Sequence, residues 1–269
     1  GKKLKRTVGL SHGIAVIIGL VVGGGIFITP KKVLGNCNSV GLAIFMWAMA
    51  GVLCMIGALA FAEIGVRYPV TGEKYAYLNI LCGPYYAFAF MWQYVFLMRP
   101  GGNAIKALMC AEYIVKPFYS QSKIPNFVIQ LVATLFTVIV TAMNCFSIKG
   151  TLRSQNAMIC ITLLSLVILS VIGVVELIRS NGESLVNPFQ DSESDPNKLV
   201  EAFTSTIFSY YGWSALNFLM EELKKPKRNL PLAIIISLLM TTTLYVLVNI
   251  SYIGVLGKDD VINSEAVAM

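Results

Sequence analysis

From Thr7 to Pro30 the chain runs 24 residues without an Asp, Glu, Lys or Arg. A helix crosses a ~30 Å hydrocarbon layer with about 17–25 apolar residues. Six further uncharged runs follow, at 33–62, 75–98, 124–148, 154–175, 202–220 and 229–257. Charged residues make up 13% of the chain, about half the usual share for a soluble domain, which excludes an ordinary soluble fold. The reading is an all-α membrane protein, one transmembrane domain over 1–269. Its spans lie at about 9–31, 41–62, 86–115, 125–146, 154–176, 202–221 and 231–256.

The third span contains Arg99-Pro100-Gly101-Gly102. Two helices split there would each be short for a crossing. One kinked, tilted helix of roughly 45 Å satisfies the length. With the N-terminus inside, 12 Lys and Arg fall on cytoplasmic segments and 7 on the other side, leaving Arg99 and Lys106 within span three. The positive-inside rule therefore places the N-terminus in the cytoplasm. The net charge of +7 reads as anchoring to anionic lipid, with no separate support for a nucleic-acid partner.

Little here suits enzyme chemistry. The single histidine, His12, sits at the inner end of span one, and no His, Cys and Glu cluster has metal-ligand spacing. No glycine-rich loop between a strand and a helix is there to hold a phosphate, so neither cofactor nor metal is expected. The six cysteines show no CxxC pattern and read as small packing residues, except Cys37, which falls in an outside loop where a thiol could react or pair. Asn249-Ile250-Ser251 lies inside span seven, out of reach of glycosylation. The basic start followed by an apolar run reads as a retained span rather than a signal peptide.

VVGGGIFITPKK, residues 21–32, puts Gly23, Gly24 and Gly25 in the middle of span one. Glycine costs about 1 kcal/mol relative to alanine in a helix. Gly19 and Gly23, four apart, can form a stripe for close helix approach. Alternatively the helix breaks, and its freed N–H groups with the positive end of the following half-helix attract a carboxylate. Spacing alone leaves both readings open. Span six offers a second candidate in FTSTIFSYYGWSALNF, residues 203–218, where aromatic residues surround Ser209 and Gly212, although an aromatic stripe at helical spacing is more often packing than a binding site. It comes five spans after the first, as an internal repeat of five helices would place it. Arg99 and Lys106, seven residues apart in span three, are either functional intramembrane charges or, for Lys106, a snorkelling side chain.

The stretches IGLVVGGGIFITPKKVL, FAEIGVRYPVTGEKYAY and YYGWSALNFLMEELKKPKRNLPLAI resemble the amino acid/polyamine/organocation superfamily. The resemblance is nearest to the L-type light subunits of heteromeric amino acid transporters. It implies a LeuT-like fold with twelve spans, ten of them in two inverted repeats. This chain then corresponds to the first five-helix repeat plus two helices of the second, as a fragment of the whole. It further implies amino acid transport or exchange by alternating access in the plasma membrane. By that resemblance Gly23, Gly24 and Gly25 offer N–H groups to the substrate carboxylate. Carbonyls at Val21, Phe208, Ser209 and Tyr211 accept from its ammonium, Phe208 is the lid, and Trp213 and Ser214 shape the pocket.

Four departures from the family pattern stand out. Tyr211 replaces a small or short polar residue. Ser122 stands where a cysteine would bond to a glycoprotein heavy chain, so no such disulfide is expected. Thr162 stands where many relatives have a lysine in place of a sodium ion, leaving the coupling open along with Arg99 and Lys106. Gly72-Glu73 replaces a glycine pair. Two rival readings are a seven-span receptor, which would place the N-terminus outside, and a truncated membrane protein that does not transport.

Overall fold

The computed structural model describes residues 6–70, 72–119, 124–179 and 187–263. Among them the chain is helical, and the one β pairing is an isolated bridge from Val8 to Leu223. Ser122 lies outside the described residues. Among the described residues four helices are long and apolar enough to cross a membrane, or five if a bent pair counts as one. This is an all-α membrane protein.

The bent pair is α1 (Leu10–Val21) and α2 (Gly25–Cys37), which meet at 55°. The break falls where Val22 turns to ψ 90° and three poor helix formers follow. Asn38 ends α2 in the left-handed region, with its N–H on the Leu34 carbonyl. Ser39 caps α3 (Val40–Arg67) by accepting from the Leu42 N–H. Further on, α8 (Ile148–Arg179) is followed after a connection by α9 (Pro196–Ser209), which Asp195 caps on the Asn197 N–H. Tyr210 to Ser214 then form turns, and Ala215–Leu219 is a 3-10 segment. The chain continues into α10 (Pro226–Leu256) and the short α11 (Lys258–Asn263).

Two compact units divide these elements. The first comprises Gly1–Glu73 and Ile159–Met269. Its buried core draws Ile17 and Ile26 from the two halves of the bent pair, Trp47 from α3, Leu166 from α8, Tyr210 from the turns after α9, and Tyr245 from α10. The segment after Asn187 docks on the turn between α2 and α3. There the Gly41 N–H donates to the Pro188 carbonyl at 2.6 Å and the Glu193 N–H to the Cys37 carbonyl at 3.0 Å.

The second unit, Lys74–Met158, contains most of α4 (Glu73–Leu81) and the run α5 (Pro84–Gln93), a π turn (Tyr94–Met98) and α6 (Arg99–Val115). It also holds α7 (Asn126–Phe146). The π turn directly precedes Pro100, whose missing N–H and ring disturb the turn before it. Ala107 and Ala111 of α6 meet Ala133 of α7, a small-residue contact suited to helices in lipid.

Candidate functional site

The three glycines at the break play different parts. None takes the positive φ that favours glycine; Gly24 has φ −65° and ψ −16°. What they lack is a side chain. A Cβ on Gly25 would lie 2.8 Å from the Ser209 Cα, closer than a real Cβ tolerates against backbone. On Gly23 and Gly24 it would meet no other element, and both are exposed. Gly19, the other member of the predicted stripe, instead faces Ile159 of α8, where a Cβ would sit 2.9 Å from its Cδ1. Close packing against backbone thus accounts for Gly25 and an open backbone for Gly23 and Gly24, while Gly19 meets only the flexible end of Ile159.

Among the described residues the N–H groups of Gly23, Gly24 and Gly25 have no hydrogen-bond acceptor, and no side chain caps α2. Unsatisfied N–H groups at a helix start carry partial positive charge and suit an anion. A few residues earlier α1 ends, with the opposite partial charge on its last carbonyls. One break therefore presents donors and acceptors side by side, the pattern that a zwitterion matches.

The second interruption follows α9 and packs against the first. Thr29 Oγ1 donates to the Gly25 carbonyl at 2.9 Å and lies 2.8 Å from Ser209 Oγ. Gly212, at φ 116°, brings its Cα so near α1 that a Cβ would lie 2.8 Å from the Leu20 carbonyl oxygen. Tyr245, from the middle of α10, ties the two together. Its hydroxyl, fully buried, is shared between the Val21 carbonyl at 3.0 Å and the Ser209 carbonyl at 3.2 Å. Each carbonyl keeps a second lone pair for another donor.

Val21, Gly25 and Ser209 are thus brought together, with Gly23 and Gly24 open beside them. Phe208 and Tyr211 are 45% and 52% exposed, so neither closes the break here. Trp213 meets Phe61 edge to face, centroids 5.5 Å apart, and Ser214 is buried, its carbonyl accepting from Asn217. Thr162 is half-buried in α8, one turn after Ile159, and its carbonyl accepts from Ser165 Oγ. Arg99 and Lys106 belong to the second unit. There Arg99 Nε donates to the Tyr94 hydroxyl at 2.6 Å and its guanidinium lies over that ring, while Lys106 is exposed.

Sequence reasoning missed Tyr245. The available signal was a hydroxyl-bearing ring in span seven, one turn before the polar Asn249. It also misplaced Cys37, expected as an accessible loop thiol. The structure extends α2 to that residue and buries it completely, as a packing cysteine is buried. From the middle of α2, Lys32 Nζ sits 2.7 Å from Glu201 Oε1 of α9 and holds that carboxyl below the usual range.

The sequence pattern of the amino acid permease family matches residues 9–269. Over 266 residues the chain is 36% identical to b(0,+)-type amino acid transporter 1 of Mus musculus, covering 99% of this chain and 55% of that protein. It is 36% identical to the cystine/glutamate transporter of Homo sapiens over 267 residues, 99% of this chain and 53% of that protein. Identity to the large neutral amino acids transporter small subunit 2 of Rattus norvegicus is 35% over 272 residues, 100% of this chain and 51% of that protein. The chain spans about half the length of these relatives. A break with exposed amides, a second interruption packed on it and these matches agree, and the chain belongs to the amino acid permease family.

Proposed function

We propose that the full-length protein moves free amino acids across the plasma membrane, by transport or exchange, with the N-terminus in the cytoplasm. The observation that carries this is the paired interruption: open amides at Gly23 and Gly24, with Val21 and Ser209 joined through Tyr245. The Gly23, Gly24 and Gly25 amides hold the carboxylate, as the start of α2 favours an anion. Free lone pairs on Val21 and Ser209, with the Phe208 and Tyr211 carbonyls, receive the ammonium. Phe208 swings over the bound substrate, and Tyr211, Trp213 and Ser214 shape the space for its side chain.

A LeuT-like arrangement supplies alternating access around this site, the seven expected spans being its first repeat and the start of its second. Thr162 is the candidate coupling position, with Arg99 and Lys106 as further candidates for that role. The names of the relatives point to cystine, glutamate and large neutral amino acids as the first substrates to try. A heavy chain, if it joins, does so without a disulfide at Ser122. Uptake of labelled amino acids by cells making the full-length gene product, against a vector control and with unlabelled competitors, tests this. Uptake equal to the control for every amino acid would overturn it.

A further inference from the structure

Trp47 touches neither carbonyl at the paired interruption, yet both tyrosines there rest on it. It lies about two turns into α3 and is completely covered. Its indole meets the Tyr245 ring at 83°, centroids 5.5 Å apart, and the Tyr210 ring at 6.3 Å and 53°. Tyr210 and Tyr245 meet each other at 5.1 Å. The Tyr210 hydroxyl donates back to the Trp47 carbonyl at 3.0 Å, so the triangle of rings is also tied to the α3 backbone.

Tyr210 belongs to the second interruption itself, and from the far side of the triangle the Tyr245 hydroxyl oxygen reaches both interruptions at once, shared by Val21 and Ser209. A hydroxyl that serves carbonyls on two different helices tolerates little movement, because a hydrogen bond weakens steeply as it lengthens or bends. The direction of the phenol ring must therefore be fixed from behind, and a near-perpendicular aromatic neighbour does this through the ring quadrupole. A second observation sets Trp47 apart from ordinary core filling. Its Nε1–H is buried without an acceptor among the described residues. A buried indole N–H normally finds a partner, and phenylalanine or leucine would occupy the centre of this site with no stranded donor. The wide flat ring, which reaches both tyrosines at once, is what the position uses.

We propose that Trp47 is a positioning residue for substrate binding, acting through Tyr245: it holds the hydroxyl that sets the spacing of the two interrupted helices around the amino acid. This rests on the transport reading above. It differs from a packing role in that most of its effect on substrate passes through one hydroxyl, the remainder through Tyr210.

The test is a double-mutant cycle on the full-length gene product, with initial uptake rates measured over a range of labelled substrate and normalised to transporter at the cell surface. Trp47→Leu is expected to raise KM about ten-fold and Trp47→Phe about three-fold, with kcat changed less than about two-fold. In a Tyr245→Phe background Trp47→Leu is expected to raise KM by less than about three-fold and Trp47→Phe by less than about 1.5-fold, since the hydroxyl they chiefly act through is gone and only the contact with Tyr210 remains. Unchanged KM in both single variants, or a full multiplicative effect on top of Tyr245→Phe, would overturn the role. If Trp47→Leu does not reach the surface, the Trp47→Phe pair carries the same two outcomes. Normal wild-type uptake with unaltered KM in the variants overturns only the part given to Trp47. Absence of wild-type uptake overturns the transport reading and this inference with it.

Discussion

The Cα atoms of Gly25 and Ser209 approach so closely that a single methyl group cannot stand between them: a Cβ on Gly25 would lie 2.8 Å from Ser209 Cα and 3.1 Å from its Cβ. Backbone cannot give way as a flexible side-chain end does. Gly25→Ala should therefore force α2 away from α9 and strain the Thr29–Ser209 contact, a cost of about 1–3 kcal/mol. Gly24→Ala meets no atom nearer than Ile28 Cδ1 at 3.8 Å. The expected outcome is a lower melting temperature for purified Gly25→Ala and one close to wild type for Gly24→Ala. Equal melting of the two variants would contradict the distinction.

Tyr245→Phe removes one hydroxyl from two carbonyls and leaves the ring in place. A net hydrogen bond contributes about 1 kcal/mol, and two shared acceptors left without their donor raise the loss toward about 2 kcal/mol. In uptake kinetics this is expected as a rise of about ten-fold in KM, with normal surface expression. An unchanged KM would mean that the Val21 and Ser209 carbonyls do not depend on this donor.

Glu201 and Lys32 join α9 to α2 from the surface, each side chain 53% exposed. The hydrogen bond from Lys32, followed by its charge, lowers the Glu201 pKa. A depressed carboxyl contributes above its unfolded pKa and loses that contribution only as pH falls through the lower folded value. Acidifying from about pH 8 to about pH 5 therefore leaves this pair intact, and exposed pairs add little in any case. Lys32→Gln is expected to keep uptake within about two-fold of wild type and to leave its pH profile over that range unchanged. A steeper loss of uptake in the variant at about pH 5.5 would show a larger role for the pair.

The orientation rests on the excess of Lys and Arg on one set of loops, and a tag reports it directly. An epitope added at the N-terminus is expected to bind antibody after permeabilisation and not on intact cells. Labelling of intact cells would favour the receptor-like topology instead.

The glycine run was legible in sequence because nothing in an apolar helix explains three adjacent residues without side chains. Their separate parts were not. Gly19 and Gly23 share a face by spacing, yet only Gly19 meets a neighbour, because the helix has already broken before Gly23. Which neighbour each glycine faces is decided by tertiary packing. Tyr245 stayed hidden for the same reason. Its partners lie 224 and 36 residues away, and an aromatic in an apolar span reads as filling until the fold brings those carbonyls to it. In the third expected span, proline pointed to a disturbance at 99–102, while the π turn occupies Tyr94–Met98. Proline acts on the turn before it, so the signal was present but offset by about one turn.

Gly24 offers the most direct test of substrate binding at the open amides, because its side-chain position faces open space. Gly24→Leu should fold and reach the membrane, since only Ile28 lies near, yet its side chain would fill the space in front of the unpartnered N–H groups. The measurement is uptake of labelled amino acid by the full-length variant, corrected for surface expression. The expected result is uptake reduced to the vector control at wild-type surface levels. Normal uptake by a well-expressed Gly24→Leu protein would contradict a substrate carboxylate held at this break.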